Sequence, residues 1–325
     1  MYRSPVLRHR WVGTGERATA AMGAKSDQQL RGGLRKVSFS RILMNMSRPN
    51  FHDEIAVVST ICRNLGLGEV TPTILKKAHH TTLLISPLTI VARVQSSEPL
   101  DAARQRAIRE VAVARHLASR SAPVVAPLVD LAGPHVIADS VVTLWPYVKH
   151  ERTADEADAA LAATTLASVH EALLDYGGEL PPYTLALDRC WAVLVDDGAS
   201  AVLSRHDRDL LKTQYRRLRH EVEEVASNWV PLHGDAHLGN LLLGERGPLW
   251  TDFEDACRGP REYDIAGLPL AAWSHFRDID QALVRRYADL KSVCVAVWCW
   301  ANISHSAEIR EAAEYHLHRV QELAF

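Results

Sequence analysis

Two short apolar runs, Leu241-Leu242-Leu243 and Leu249-Trp250-Thr251, flank Gly244-Glu245-Arg246-Gly247-Pro248. Runs of that length around a Gly-rich break predict a β-hairpin with a five-residue loop. In the simplest register 241 faces 251 and 243 faces 249, so Asn240 and Asp252 lie opposite each other at the open end. Cross-strand neighbours hold their Cβ atoms about 4.5–5.5 Å apart. Two oxygens of one magnesium shell, each about 2.1 Å from the ion, need that proximity. The hairpin therefore predicts a metal site with Asn240 and Asp252 as its ligands.

The segment entering this hairpin is His233-Gly234-Asp235-Ala236-His237-Leu238-Gly239-Asn240. An Asp, an Asn five residues on, then a second Asp is the spacing by which kinase-type enzymes hold one general base and two magnesium ligands. Asp235 is the candidate base, since a carboxylate can take or orient the proton of an attacking hydroxyl. Gly234 gives the loop conformations closed to larger residues. His233 and His237 are read as braces of the loop.

The runs HGDAHLGN and WTDFEDACRGPREYDIAGL resemble the aminoglycoside phosphotransferase family, relatives of choline kinase and of protein kinases. The match falls on His233, Gly234, Asp235, His237, Asn240, Asp252, Gly259, Pro260 and Asp264. The resemblance implies an α+β bilobal kinase-like fold: a small antiparallel-sheet N-lobe with one main helix and a larger, mostly helical C-lobe. It implies Asp235 as catalytic base, Asn240 and Asp252 as magnesium ligands, and Asp264 as a structural acid that locally also suits a helix cap. The implied activity is ATP- and Mg²⁺-dependent transfer of the γ-phosphoryl group to a hydroxyl of a small molecule such as an aminoglycoside, amino sugar or amino alcohol. Two other readings compete. One is a pseudokinase that binds nucleotide without turnover. The other is a metal-dependent phosphoesterase using Asp235-Ala236-His237, although G-D-x-x-D and G-N-H-[DE] ligand blocks are missing from the sequence.

The first half supplies the nucleotide side of that expectation. β-rich runs at Thr73–Lys77, Thr81–Ile85 and Thr89–Val94 follow a helix over 51–65, and Asp101 is placed to cap a long helix ending near Ser119. Arg93 on the third strand and Glu110 in that helix stand where the fold needs a phosphate-gripping cation and its acidic partner. Arg replaces the usual Lys there, with Lys76 and Lys77 as fallback cations. The turn Ala78-His79-His80-Thr81-Thr82 carries no glycine-rich phosphate loop. A further β-rich stretch over 135–144 leads to a hinge at Thr143–Tyr147, where the resemblance puts the adenine. The second half reads as helical: Thr153-Ala154-Asp155-Glu156 opens a helix running to Gly177-Gly178, and another spans about 207–226. The acceptor would lie near the helices after Asp264, among Trp273, His275, Phe276, Asp278, Asp280, Trp298 and Trp300. Aromatic residues at helical spacing are more often core than ligand platform.

Composition narrows the class. Of the 325 residues 47% are hydrophobic and 23% charged, as in an ordinary globular chain, and no apolar run approaches a membrane span. Five dispersed cysteines predict reduced thiols and a cytoplasmic setting. Residues 1–45, with nine Lys/Arg against Glu16 and Asp27, are read as a disordered basic tail, or as translation from too early a start; the composition also allows a transit peptide. The N-terminal, nucleotide-binding lobe is placed at 46–147 and the C-terminal, catalytic and substrate-binding lobe at 148–325. That second region has 18 basic and 29 acidic residues. The balance argues against nucleic acid and is compatible with a cationic acceptor. No obligate protein partner is evident.

Overall fold

The computed structural model describes residues 53–77, 80–225, 228–304 and 307–323. The expected tail and the start of the first predicted helix lie outside them. Helix α1 (Glu54–Asn64) begins at Asp53, whose carboxylate accepts from the Ile55 and Ala56 N–H groups. Strands β1 (Thr71–Lys77), β2 (Thr81–Ser86) and β3 (Ile90–Gln95) form an antiparallel meander. The β-rich stretch over 135–144 resolves into two strands, β4 (His135–Ile137) and β5 (Ser140–Pro146). Ala138 takes a positive φ of 49° between them. The five strands run in the order β1-β2-β3-β5-β4.

Strand periodicity separates the two faces of this sheet. Leu83, Ile85, Ala92, Val94, Val142 and Leu144 pack with Val58, Ile61 and Cys62 of α1. Val141 points to the other face, against Ala103 and Ala107 of helix α2 (Leu100–Ser119). Helix α2 starts two residues earlier than the Asp101 cap implies: Pro99 occupies the cap position and Asp101 lies in the first turn. An acid there still favours the positive end of the helix.

Past Pro146 the chain pairs β6 (His150–Thr153) with β8 (Leu241–Gly244), which forms a hairpin with β9 (Gly247–Trp250). Trp250 also ties the lobes together, its N–H donating to the Pro123 carbonyl and its carbonyl accepting from the Val125 N–H. The rest is helical. Asp155 and Asp158 cap a 3₁₀ turn reciprocally, and α3 (Ala159–Leu173) then stops before Gly177-Gly178. Helix α4 (Thr184–Val195) follows Pro181-Pro182 and was not anticipated in the sequence. Helix α5 (Arg205–Glu223) is capped by Ser204. A two-stranded pair, β7 (Val230–Leu232) with β10 (Cys257–Gly259), brackets residues 233–256. Helices α6 (Arg261–Ile265), α7 (Leu270–Trp273), α8 (Gln281–Ala301) and α9 (Ala307–Glu322) complete the lobe. Leu283, Val284, Tyr287, Leu290, Val293 and Val297 of α8 are buried in its core. Among the described residues no helix is long and apolar enough to cross a membrane.

Candidate active site

The hairpin departs from its predicted register. Leu241 faces Trp250 and Gly244 faces Gly247, leaving only Glu245 and Arg246 as the loop. Gly247, at φ +117°, absorbs the tight turn that a five-residue loop would have spread out. Asn240 consequently faces Thr251, whose N–H donates to the Asn240 carbonyl at 3.0 Å. Asp252 follows in a left-handed conformation, φ 72° and ψ 55°, at the entry to the 3₁₀ turn Phe253–Asp255. The two candidate ligands are thus brought to one hairpin end by a backbone twist, not by direct cross-strand pairing.

The loop holding Asp235 is fastened from beneath. Gly234 has φ +89°, and a Cβ there would stand 1.9 Å from the Asp255 carbonyl, so only glycine fits. Asp264 is wholly buried inside α6 and does not cap it; its two oxygens accept from the N–H groups of His233 (2.8 Å) and Gly234 (2.9 Å). His170 on α3 adds a third contact at 2.8 Å. Burial pushes the Asp264 carboxyl upward. The His170 bond and the charges of His170, His233 and Lys291 outweigh that and hold it below the usual carboxylate range. His233 is also buried, its Nε2 against the Thr251 carbonyl at 3.0 Å and its ring on Phe253 and Trp250. Burial lowers its pKa, and its contacts to Thr251, Phe253 and Trp250 brace the loop.

Asp235 itself is half exposed, with Oδ2 3.5 Å from His237 Nε2. Desolvation acts to raise its pKa, but His237 contact and charge, then Lys291, drive it well below the ordinary value. The carboxylate therefore stays ionised at neutral pH. Asn240 is buried, and its amide nitrogen donates to the Asp235 carbonyl at 2.9 Å. That bond commits the amide nitrogen to the loop backbone, so of the two amide atoms only the oxygen could serve as a ligand.

From the sheet lobe, Arg93 reaches this hairpin end. It is bonded to Glu110 Oε1 through Nη1, to Asp252 Oδ1 through Nη2 at 2.8 Å, and lies 3.0 Å from His80 through Nε. Arg93 and Glu110 are nearly buried. Burial acts to raise both acids. It prevails at Glu110, whereas Arg93 and His80 keep Asp252 below its usual value. The fallback cation Lys77 is engaged elsewhere, with Glu54 of α1 at 3.2 Å.

Around this core lies a second layer of charge that sequence reasoning missed. Arg106 bonds Glu254 at 2.6 Å and Glu98 at 3.1 Å, Arg109 holds the Glu254 carbonyl at 2.7 Å, and Arg189 bonds Asp255 at 2.7 Å. Arg106 and Glu110 are four apart on α2, and that shared helical face is the signal that points to them. Three of the acceptor-side candidates are engaged in structure. Trp273 is buried with its Nε1 on the Leu268 carbonyl, Trp300 donates to the Ala313 carbonyl, and Asp280 caps α8. These three side chains serve packing and helix ends.

An antiparallel-sheet lobe whose strand arginine meets a helix acid, joined to a helical lobe that carries the Asp235 loop and the 241–250 hairpin, has the kinase-like fold. The chain matches the model of the phosphotransferase enzyme family (APH) over residues 74–301. It belongs to that family. Among solved structures it is similar to the amicoumacin kinase hAmiN in complex with AMP-PNP, Ca²⁺ and Ami, with a TM-score of 0.63 at 12% identity over 83% of this chain and 96% of that one. It is also similar to the choline kinase LicA from Streptococcus pneumoniae, with a TM-score of 0.60 at 13% identity over 83% and 98%. A microcompartment-associated aminopropanol kinase gives 0.60 at 18% identity over 79% and 94%. No curated protein sequence matches the chain.

Proposed function

We propose that the protein is a cytoplasmic, ATP- and Mg²⁺-dependent kinase that phosphorylates a hydroxyl of a small molecule. The observation that carries this reading is the Arg93 fork, which joins Glu110 to Asp252 across the lobes at the hairpin end shared with Asn240 and the Asp235 loop. Family membership supports it, as do solved neighbours that are kinases of amicoumacin, choline and aminopropanol. Residues 46–147 form the nucleotide lobe in this reading, and residues 148–325 the catalytic and acceptor lobe.

The donor set fits Mg²⁺: one carboxylate and one amide oxygen are hard ligands, and this ion keeps its other positions for water and phosphate. Asn240 and Asp252 would hold it, and its chemistry there is to neutralise phosphate oxygens. Among the described residues no group of three His, Cys, Asp or Glu is placed to hold a metal. The phosphoesterase reading therefore gains no support from a second ligand cluster. Arg93 grips phosphate, and Glu110 fixes its direction. Asp235 accepts the acceptor's hydroxyl proton as the oxygen forms its bond to the γ-phosphorus. The bond from that phosphorus to the β–γ bridging oxygen breaks, with its electron pair leaving on ADP.

The test is Asp235→Asn, assayed on a panel of hydroxyl-bearing small molecules by mass gain of one phosphate. Turnover should fall about 10²–10⁴-fold with nucleotide affinity retained. Undiminished turnover would remove Asp235 from the role of base. Nucleotide binding with no product from any acceptor would favour the pseudokinase.

A further inference from the structure

Helix α8 brings one more charge to the catalytic loop. Lys291 is half-buried, and its Nζ lies 4.2 Å from the centroid of the Tyr263 ring. It makes no hydrogen bond or ion pair among the described residues. Its neighbour on the same helix, Asp289, is paired with Arg319 at 2.9 Å and so is not its counter-ion.

The ring beneath Lys291 is rigid. Tyr263 is buried against Tyr183 and Tyr287, at centroid distances of 5.1 and 5.6 Å. It immediately precedes Asp264, which holds the backbone of His233 and Gly234. The ring that carries the ammonium is thus adjacent in chain to the acid that fastens the Asp235 loop, and the Lys291 charge is among those that lower the Asp235 pKa. A partly desolvated ammonium that makes no hydrogen bond or ion pair among the described residues gains from an anion that docks beside it. The cation on the nucleotide side, Arg93, comes from the sheet lobe, whereas Lys291 rises from the helical lobe.

We propose that Lys291 reads the acceptor, and that the acceptor is a hydroxy acid or hydroxy amino acid whose carboxylate pairs with Lys291 while its hydroxyl faces Asp235. The inference rests on the kinase reading for its chemistry, and the transfer step is unchanged. It runs against the acidic balance of residues 148–325, because recognition depends on the charge beside Asp235 and not on the regional sum.

The experiment uses the full chain and acceptor pairs that differ by one carboxylate: L-serine with ethanolamine, L-homoserine with aminopropanol, and glycerate with ethylene glycol. In at least one pair the acid should show kcat/KM about 10- to 100-fold above its partner, the scale of one charge-assisted bond. Lys291→Met keeps the stem on Tyr263 and should erase that ratio through KM; Lys291→Arg should retain it. Preference for the carboxylate-free alcohols overturns the proposal. So does a Met variant in which both members fall equally, the result expected if Lys291 serves the phosphate or only the fold. Calorimetry with AMP-PNP·Mg²⁺ gives a readout free of turnover. Binding of an acid that is lost in Lys291→Met, with no product from any alcohol, would sink the kinase reading and keep the anion site. No binding of any acid overturns the proposal itself.

Discussion

Arg93 holds three groups through three different nitrogens: Glu110 on Nη1, Asp252 on Nη2 and His80 against Nε. A lysine has one nitrogen and no fork, so it can keep the helix acid or reach the hairpin but cannot span both. Arg93→Lys should therefore raise KM for the nucleotide about 10-fold while kcat changes less, as steady-state kinetics at varied ATP would show. Arg93→Met removes the partner of buried Glu110, whose raised pKa lets it take up a proton. That should cost about 1–3 kcal/mol, the cost of an unmet buried polar group, seen as a lower denaturant midpoint. Asp235, Asn240 and Asp252 were legible as candidates because one short stretch of chain carries all three. Arg93 and Glu110 were legible from strand and helix position. Glu254, Asp255 and Arg106 were not, since Arg106 is 148 residues from Glu254 and nothing local announces the pairing.

At the scale of elements, the loop before the hairpin depends on a close backbone approach. The Asp255 carbonyl lies where a side chain at position 234 would begin. Gly234→Ala must push the base loop away from the turn 253–255 and also strain a positive φ. Stability should fall by about 3 kcal/mol or more, and turnover at least about tenfold, measured by urea denaturation and initial rates on the same preparation. Melting and rates equal to wild type would mean that the loop can relax without cost. The hairpin shows why register was harder to read than existence. Its apolar runs marked two strands, but Gly244 and Gly247 join the ladder and shorten the turn to two residues. A one-residue slip exchanges the faces of a strand. Asp252 recovers its place only through a left-handed residue, which no hydrophobic pattern encodes.

Across the whole molecule, the helical lobe is anchored on a buried carboxylate that sequence marked only as structural. Asp264 gathers α3 through His170 and the base loop through two N–H groups. An amide at 264 has one acceptor oxygen for three converging donors, and its NH₂ turns a donor onto another donor. Asp264→Asn should destabilise the protein by about 1–3 kcal/mol at neutral pH, the cost of an unmet buried group. The pH dependence follows from the direction of the shift. The carboxyl is depressed in the folded state, so the unfolded chain binds more protons as acid is added. Its stabilising contribution is complete above the ordinary Asp range near about 4, and is lost as pH falls through the lower, folded value. The Asn variant has no such proton to take up. The stability gap between the two proteins should therefore be widest at about pH 7 and narrow at about pH 3.5, read from urea midpoints at both. A gap independent of pH would show that the Asp264 carboxyl titrates alike in the folded and unfolded chains, so that its buried contacts do not favour the charged form.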